Sequence, residues 1–311
     1  MMQQIEDYQK PVIDCIKSLW QNRRGQNPRP RFVPGDTPGD LGALVMEDTW
    51  EQCETIGTQG TGRGQFEGAR GIAAADPDII AVTDRRNKRL LIYDRREKSW
   101  QTIDPVKANE VAATPDRWIV SEPRVIKVYN RNDLAFIGDF PTVQPEVETQ
   151  VKLFGVAIKG NGNILVGDCE GKVVTEITHD GMHEVSRIPV KIKPHFLAVI
   201  GNAWIAVSDW KEAVVHIVGG SDGHIVTTIR PRINDQPVHS CRGVCSDGLS
   251  VYIAASTVRL ASGHIHQYDL RGRFITCVAK NLHDPYGITF TVGGHQLAVA
   301  DLHDVKIYRK K

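Results

Sequence analysis

Short apolar segments that end on a small or acidic residue recur along most of this chain. The six segments are IIAVTD ending at Asp84, RWIVSE at Glu122, NILVGD at Asp168, WIAVSD at Asp209, VYIAAS at Ser256 and QLAVAD at Asp301. Their ends lie 38 to 47 residues apart. This period is typical of the four-stranded blades of a β-propeller, and the β-branched residues in each segment predict strand.

The neighbours of each segment complete a repeating unit of four strands. In four units the preceding strand opens with an entrance residue, a glycine and an aliphatic residue, at Arg70, Phe154, Arg242 and Tyr286. Two units depart from this pattern, with EVAATP and HFLAVI. An alternating strand follows every segment, and a fourth strand comes after it in five units. Short antiparallel strands repeated in this way predict an all-β fold, a six-bladed β-propeller over residues 49–311.

The sixth unit shows no fourth strand after VKIYRK, its third. Residues 50–57, WEQCETIG, precede the first blade and are available to fill this place. We expect them to close the ring, because the entropic cost of closing so long a loop grows only logarithmically with its length.

Residues 1–48 divide into two further segments. Residues 1–21 predict a short amphipathic helix with Pro11 near its start. Its apolar positions are Val12, Ile13, Ile16, Leu19 and Trp20. Two interpretations stay open: the last turns of a coiled coil that forms a dimer, or a tail with transient helix. Residues 22–48 are rich in proline, glycine and arginine, which indicates a linker.

Composition limits the kinds of partner and the compartment. The formal net charge is +1, so binding to nucleic acid would need a local basic patch. No apolar stretch approaches the roughly 20 residues of a membrane span, and the N-terminal residues lack the apolar core of a secretory signal. The six cysteines form no CxxC pair. We therefore expect a cytoplasmic protein with reduced thiols and no contact with membranes.

The first blade resembles a known repeat. Residues 57–94 read GTQGTGRGQFEGARGIAAADPDIIAVTDRRNKRLLIYD. The positions that carry the resemblance are Gly64, Phe66, Gly71, Ile72, Val82, Asp84, Asn87, Arg89 and Tyr93. In these residues the segment resembles the NHL repeat, and the resemblance implies a six-bladed propeller. The other blades keep mainly the second-strand pattern, and the last one, from Asp301 to Asp304, lacks the Asn and the Arg.

Residues 31–35 and 41–44 resemble the connection between coiled coil and NHL propeller in tripartite-motif proteins. That resemblance implies a role in ubiquitin ligation. The zinc-binding RING and B-box modules need closely spaced Cys and His ligands, and Cys15 is the one cysteine before residue 50. We therefore expect the chain to be the substrate-reading or RNA-reading part of a ligase, or a free-standing relative, and not a ligase by itself.

NHL domains of this type commonly bind their ligands through one face of the propeller. This face carries the loops before the first strands and those between the second and third strands, and we call it the entrance face. The residues expected there are Arg70, Arg85, Arg86, Lys88, Arg124, Phe154, His195, Trp210, Lys211, Arg242 and Tyr286.

Cationic groups bind phosphates and aromatic rings stack on unpaired bases, so such a surface suits single-stranded or hairpin RNA. Acidic residues in equivalent loops reduce the positive charge, which favours a protein partner, such as a ubiquitination substrate or an adaptor. A third interpretation of residues 85–89 is an ordinary solvated loop in which Arg89 pairs with a neighbouring acid.

An enzyme is the remaining hypothesis. Calcium-dependent propeller hydrolases need several inward carboxylates, and Glu110 is the one acid expected at the axis. A zinc-dependent propeller lyase needs converging histidines. His195 could reach the channel, and His264 and His266 share one side of a strand, although histidines on strands are more often packing residues. We predict no metal and no cofactor.

Two other features receive a structural interpretation. The acids that end the second strands recur once per blade, so we expect them to cap N–H groups of loops. Cys241 and Cys245 lie four apart on one predicted strand. We expect them on the same side of it, buried as small apolar residues.

Overall fold

The computed structural model describes residues 49–140, 151–258 and 261–311. The helix predicted for residues 1–21 and the linker at 22–48 lie outside the described residues. Six four-stranded sheets are present in the described ranges, which confirms the all-β, six-bladed propeller. No helix in these ranges is long and apolar enough to cross a membrane.

The strands are numbered in chain order. The first three are β1 (Trp50–Ile56), β2 (Thr58–Gln59) and β3 (Gln65–Phe66). Blade 1 comprises β4 (Ala69–Ala74), β5 (Ile79–Asp84), β6 (Arg89–Asp94) and β7 (Ser99–Ile103). Blade 2 comprises β8 (Glu110–Ala113), β9 (Arg117–Ser121), β10 (Ile126–Asn130) and β11 (Phe136–Phe140). Blade 3 comprises β12 (Leu153–Ile158), β13 (Ile164–Asp168), β14 (Val173–Ile177) and β15 (Glu184–Pro189).

The second half of the ring repeats the arrangement. Blade 4 comprises β16 (Phe196–Ile200), β17 (Trp204–Asp209), β18 (Val214–Gly219) and β19 (Ile225–Ile229), and the short strands β20 (Arg232–Ile233) and β21 (Gln236–Pro237) follow it. Blade 5 comprises β22 (Ser240–Ser246), β23 (Ser250–Ser256), β24 (Gly263–Asp269) and β25 (Phe274–Leu282). Blade 6 comprises β26 (Pro285–Phe290), β27 (Gln296–Asp301), β28 (Asp304–Lys310) and, at its outer edge, β1.

Hydrophobic clusters between neighbouring blades form the core. One cluster joins blades 4 and 5 through residues such as Ile217 and Ile253, and another joins blades 6 and 1 through Ile307 and Leu91. The second strands are buried on both of their faces. Their sequences are therefore nearly continuous apolar runs rather than alternating ones, which is why they give the clearest repeat in the sequence.

The residue at the end of each second strand, or directly after it in blade 2, accepts a hydrogen bond from the loop leading into its own blade. The donating backbone N–H groups and the accepting carboxylates are Gly68 to Asp84 at 3.1 Å, Lys107 to Glu122 at 2.8 Å, Lys152 to Asp168 at 3.0 Å, Lys193 to Asp209 at 2.9 Å and Asp284 to Asp301 at 2.7 Å. In blade 5 the carbonyl of Ser256 accepts from the N–H of His239 at 2.8 Å. The capping role predicted for these acids is confirmed.

The NHL-like residues of blade 1 form one hydrogen-bond network. The buried Asp84 carboxylate accepts from Asn87 Nδ2 at 2.7 Å and from Arg89 Nε at 3.2 Å. Arg89 also donates to three carbonyls of the loop before the blade. Its expected pairing with a neighbouring acid is confirmed. In blade 6 Lys306 takes its place, with Nζ 2.6 Å from the Asp301 carboxylate.

The four first strands that open with an entrance residue and a glycine each carry a β-bulge at that pair. The register shifts lie between Ala69 and Ile72, Leu153 and Val156, Cys241 and Val244, and Pro285 and Ile288. A bulge changes the direction of a side chain and the alternation that follows it. Glycine is required because the next blade approaches closely: a Cβ on Gly287 would lie 2.3 Å from the Arg70 carbonyl oxygen.

The same bulge corrects the prediction for Cys241 and Cys245. Both thiols are buried, as expected, but they lie on opposite sides of β22. Cys241 packs in the cluster between blades 4 and 5, whereas Cys245 packs in the cluster that includes Ile288 and Val299 of blade 6. A spacing of four residues places side chains on one side only in a regular strand, and the bulge interrupts that regularity.

The predicted closure by residues 50–57 is confirmed. β1 pairs antiparallel with β28, from Trp50 opposite Lys310 to Ile56 opposite Val305. Ile56 is 5% exposed and lies in the cluster between blades 6 and 1. The first described strand therefore completes the last blade.

Removal of β1 should destabilise the propeller. Two chains differ only in this strand, residues 49–311 and residues 58–311. Loss of a buried side chain such as Ile56 costs about 2–5 kcal/mol, and about 1 kcal/mol shifts the Tm of a domain of this size by roughly 2–4 °C. We expect the shorter chain to melt at least about 5 °C lower in calorimetry, and equal Tm values would contradict the closure.

The crowding at the axis predicts a selective cost for one glycine substitution. Gly287→Ala places a Cβ against backbone, which cannot move aside, and we expect a loss of about 1–3 kcal/mol in the free energy of unfolding. Gly138→Ala in β11 is the control, because nothing lies within 4 Å of its Cβ position. Urea denaturation of both variants measures the difference, and an equal effect would refute the close approach.

Candidate recognition site

A cavity of about 290 Å³ lies on the axis of the propeller. Its lining comes from the first strands of all six blades, β4, β8, β12, β16, β22 and β26. Most lining side chains are small or aliphatic, such as Ala73, Val156 and Ile288. Glu110 supplies a carboxyl group to this lining.

Glu110 stands in blade 2 where four other blades have glycine. Its Oε1 accepts hydrogen bonds from the N–H groups of Ile72 at 3.1 Å and Val111 at 3.2 Å. The carboxyl group fits because Gly71 has no side chain, and a Cβ there would lie 2.4 Å from Oε1. Its Oε2 is buried and has no hydrogen-bond partner among the described residues.

Burial raises the pKa of Glu110 to about 8. The two backbone N–H groups and the positive charge of Arg70 act in the opposite direction, but their effects are smaller. The carboxyl group is therefore mainly protonated and neutral at pH 7. Glu110 therefore lies in the lining of the axial cavity, as expected, and Asn109 directly precedes it at the start of blade 2.

Two arginines from blades 1 and 5 meet on a tyrosine of blade 6. The guanidinium carbons of Arg70 and Arg242 lie 4.6 Å and 3.8 Å from the centroid of the Tyr286 ring. Arg70 also donates to Tyr286 Oη at 3.1 Å. Arg242 forms an ion pair with Asp284. Three entrance residues that are far apart in sequence are therefore in contact, as their equivalent positions in the repeat predict.

A second group of contacts runs from blade 1 through blade 3 to blade 4. Arg85 donates to Asn109 Oδ1 at 2.8 Å, and its guanidinium lies 6.0 Å from the Phe154 centroid. The His195 ring meets the rings of Phe154 and Trp210 edge to face, with centroids 5.2 Å and 5.6 Å apart. Lys211 Nζ lies 5.5 Å from the Trp210 ring centroid. Aromatic side chains thus pack against the cations Arg85 and Lys211.

His195 is the buried member of this second group of contacts. Burial lowers the pKa of its imidazole to about 4, although the nearby Asp209 carboxylate acts to raise it. The imidazole is therefore neutral at pH 7. Its Nδ1 lies 3.5 Å from Asp209 Oδ1, but without a charge on the imidazole the two groups do not form an ion pair. His195 packs against the rings and contributes no positive charge to the entrance face.

Two of the cations, Arg70 and Arg85, lie close enough to repel each other. The pKa of Arg85 is lowered, first by partial burial and second by the positive charge of Arg70. Among the described residues, neither of the two arginines forms an ion pair with an acid. Lys152 adds a third charge, with Nζ 5.9 Å from the Phe154 ring centroid. The mouth of the channel therefore carries positive charge, and no ion pair within the described ranges balances Arg70 or Arg85.

Eight of the eleven residues predicted for the entrance face form these two contact groups. They are Arg70, Arg85, Phe154, His195, Trp210, Lys211, Arg242 and Tyr286. The other three, Arg86, Lys88 and Arg124, are exposed, and in the described ranges their side chains form no ion pair and no cation–π contact with either group. Lys88 belongs to a turn, with φ of 55°.

Sequence reasoning missed Asn109, Lys152 and Asp284, which contact the predicted residues directly. Each is the residue directly before the first strand of its blade. The repeat itself is the signal that could have found them. Binding of a ligand by the assembled residues stays a prediction.

Known proteins were compared with the chain by sequence and by structure. No family model and no curated protein matches the sequence. Among solved structures, a protein of unknown function from Bacteroides thetaiotaomicron is similar, with 14% identity, a TM-score of 0.64, and coverage of 84% of this chain and 77% of that one. The chain is a six-bladed β-propeller, and at this identity the likeness shows the fold alone.

Two further solved structures are similar. One is a streptogramin B lyase, with 13% identity, a TM-score of 0.56, and coverage of 86% of this chain and 99% of that one. The other is a putative gluconolactonase, with 12% identity, a TM-score of 0.62, and coverage of 87% and 97%. These neighbours do not connect the chain to the tripartite-motif proteins in particular.

The raised pKa of Glu110 predicts a pH-dependent cost to stability. The carboxyl group ionises near 4.5 in the unfolded chain and near 8 in the folded one. Its contribution to stability is therefore complete below pH 4.5 and is lost as the pH rises towards 8. Glu110→Gln has no charge to lose and is the matched variant.

We expect the Tm advantage of Glu110→Gln over the wild type to grow by at least about 3 °C between pH 5 and pH 8. Titration of His195 is common to both proteins and cancels in the difference. Calorimetry at four pH values measures it. A difference that stays constant over this interval would show that the carboxyl group titrates normally.

Proposed function

We propose that the chain is a recognition module that binds an acidic segment of a protein partner at the mouth of its channel. The observation that carries this proposal is the pair of neighbouring arginines, Arg70 and Arg85, which repel each other and have no carboxylate partner among the described residues. A carboxylate from a partner would relieve that repulsion, and hydrogen bonds to charged groups contribute about 1.5–3 kcal/mol each.

Contacts that hold the two guanidinium groups in place favour this function. Arg70 is held by the ring and hydroxyl of Tyr286, and Arg85 by Asn109 and Phe154. Side chains fixed before binding lose less conformational entropy when a ligand arrives. Glu110 beneath them is mainly uncharged at pH 7, so it does not compete for the arginines.

The resemblance of residues 57–94 to the NHL repeat supports a finer version of the proposal. In that version the partner is a substrate or an adaptor, and the chain is the reading part of a ubiquitin-ligase assembly of the tripartite-motif type. The Asp84, Asn87 and Arg89 network is the residue-level support for an NHL repeat. Transfer of ubiquitin would be the work of another module or chain.

Single-stranded RNA is the second candidate ligand, because exposed cations lie around the mouth. Arg86, Lys88 and Arg124 are exposed, and none pairs with an acid in the described ranges. They extend the positive surface beyond the arginine pair, and a phosphate backbone would use such a surface along its length. A short acidic peptide segment, in contrast, would contact only the arginine pair at the mouth.

An enzyme would use the buried acid of the cavity instead. The lyase and the putative gluconolactonase among the structural neighbours are described as enzymes, and Glu110 has the raised pKa of an acid or base in a cleft. Glu110 is the one carboxylate among the described residues that line the cavity. Glu110→Gln separates the two functions, since binding of a partner below pH 7 should survive it and acid–base chemistry should not.

The decisive measurement compares two doubly substituted full-length chains. Arg70→Gln with Arg85→Gln removes the pair at the mouth. Arg96→Gln with Lys98→Gln removes the same charge from exposed positions in the loop between β6 and β7, at the opposite rim. An acidic peptide library and poly(U) RNA are the probes.

We expect the mouth variant to lose at least about tenfold in affinity for the acidic peptides, and the rim variant to retain it. Equal losses in both variants would indicate non-specific charge attraction and contradict the proposal. RNA binding that falls steeply with salt and requires Arg86, Lys88 and Arg124, with no peptide binding, would establish the second candidate in its place.

A further inference from the structure

Three side chains that bind soft metal ions converge on the outer half of blade 5, away from the channel. His264 and His266 lie on β24, and Cys277 lies on the neighbouring strand β25. One nitrogen from each histidine and the cysteine sulfur all lie within 4.8 Å of one another. None of the three belongs to either contact group of the channel mouth.

The distances between these atoms suit one face of a tetrahedral metal site. His264 Nδ1 lies 3.2 Å from His266 Nε2, and Cys277 Sγ lies 3.8 Å from His264 Nδ1. An ion with metal–nitrogen bonds of about 2.0–2.1 Å and a metal–sulfur bond of about 2.3 Å separates such ligands by roughly 3.3 Å and 3.6 Å. Two of the three separations are close to these values, and the third, between His266 and Cys277, lies within 4.8 Å, so rotation of the side chains would bring all three ligands to one ion.

Strand geometry explains why they meet. His264 and His266 are two residues apart on β24 and therefore share one side of it. β25 contains a bulge, so that Cys277 lies opposite His266 while Ala279 lies opposite Ile265. Without the bulge, Val278 would lie opposite His266; with it, Cys277 takes that position.

Neighbouring groups hold the ligands in position. His266 Nδ1 lies 3.3 Å from Tyr268 Oη, and the Phe274 ring meets the imidazole edge to face at 5.2 Å. A histidine that binds a metal through one nitrogen usually has its other nitrogen hydrogen-bonded, which fixes the ring. Tyr268 also packs into the cluster between blades 4 and 5, which anchors this support.

Both imidazoles are available as neutral ligands. Burial lowers the pKa of His264, and it lowers the pKa of His266 to about 4. Burial raises the pKa of the Cys277 thiol, which donates to the Ala279 carbonyl oxygen at 3.2 Å. Binding of a metal would release the thiol proton to solvent, and the positive charge of Lys280 would favour the resulting thiolate.

We propose that His264 Nδ1, His266 Nε2 and Cys277 Sγ bind one thiophilic d¹⁰ cation, Zn²⁺ or Cu⁺. Thiolate and imidazole together prefer these ions over the hard cations that carboxylates bind. His264 and Cys277 are only half-buried, so an ion reaches them from solvent and a fourth position stays open. The bound ion would join the third and outer strands of blade 5.

Metal binding to the full-length chain tests this proposal directly. The metal-free protein is titrated with Zn²⁺ and, under anaerobic conditions, with Cu⁺, each in competition with a chromophoric chelator. Cys277→Ser and His264→Gln remove ligands. Cys53→Ser and His295→Gln are the matched controls, because both residues are exposed and belong to other strands or loops.

We expect one equivalent of one of these ions to bind. Loss of a residue that only positions a ligand lowers metal affinity by roughly 10- to 100-fold, and we expect the two variants that lose a ligand itself to fall by more than this. Co²⁺, as a spectroscopic probe, should give a sulfur-to-metal charge-transfer band that is absent in Cys277→Ser alone among the cysteine variants. Affinities for both ions equal to the wild type in the ligand variants would overturn the proposal.

A second measurement on the wild-type chain does not depend on the folding of any variant. Alkylation by iodoacetamide, followed by peptide mass spectrometry, gives the rate at which each thiol reacts. The ion that binds should protect Cys277 and leave the exposed Cys53 unchanged. Equal alkylation of Cys277 with and without either ion would also overturn the proposal, and would leave a hydrogen-bonded cluster of neutral side chains.

Discussion

The structure depends on one recurring interaction, the hydrogen bond from the loop entering a blade to the residue at the end of the second strand. Five blades use a carboxylate for it, and in blade 1 the Asp84 carboxylate receives four donors while fully buried. A buried carboxylate is costly unless such bonds satisfy it. The interaction therefore fixes where each first strand begins, and six strands that begin at equivalent heights can surround one axis.

The mouth of the channel is a consequence of that constraint. Directly after the capped loop comes the β-bulge, which places the entrance residue at the rim, and then a glycine, which permits the next blade to approach. Arg70, Arg242 and Tyr286 meet because they hold this same position in blades 1, 5 and 6. Their contact results from the repeat, and only the types of residue are particular to this chain.

Features that the period of the repeat determines can be predicted from the sequence, whereas features that a local irregularity determines cannot. The six second strands, the closing strand before Gly57 and the meeting of entrance residues are all set by regular spacing. The opposite facing of Cys241 and Cys245, and the position of Cys277 beside His266, result from bulges. Spacing alone does not reveal a bulge: in β22 the bulge coincides with a glycine, Gly243, but in β25 the extra residue is Val278, an ordinary strand residue.

Blade 2 shows how an exception to the repeat affects the charge of the mouth. Glu110 occupies the place of a glycine, and the crowding there buries its carboxyl group and raises its pKa to about 8. An ionised carboxylate at this point would lie close to Arg70 and balance its charge. Because the group is mainly protonated at pH 7, it does not balance the charge of Arg70 beside Arg85. The same close approach that requires glycine in four other blades thus keeps Glu110 from adding a negative charge below the mouth of the channel.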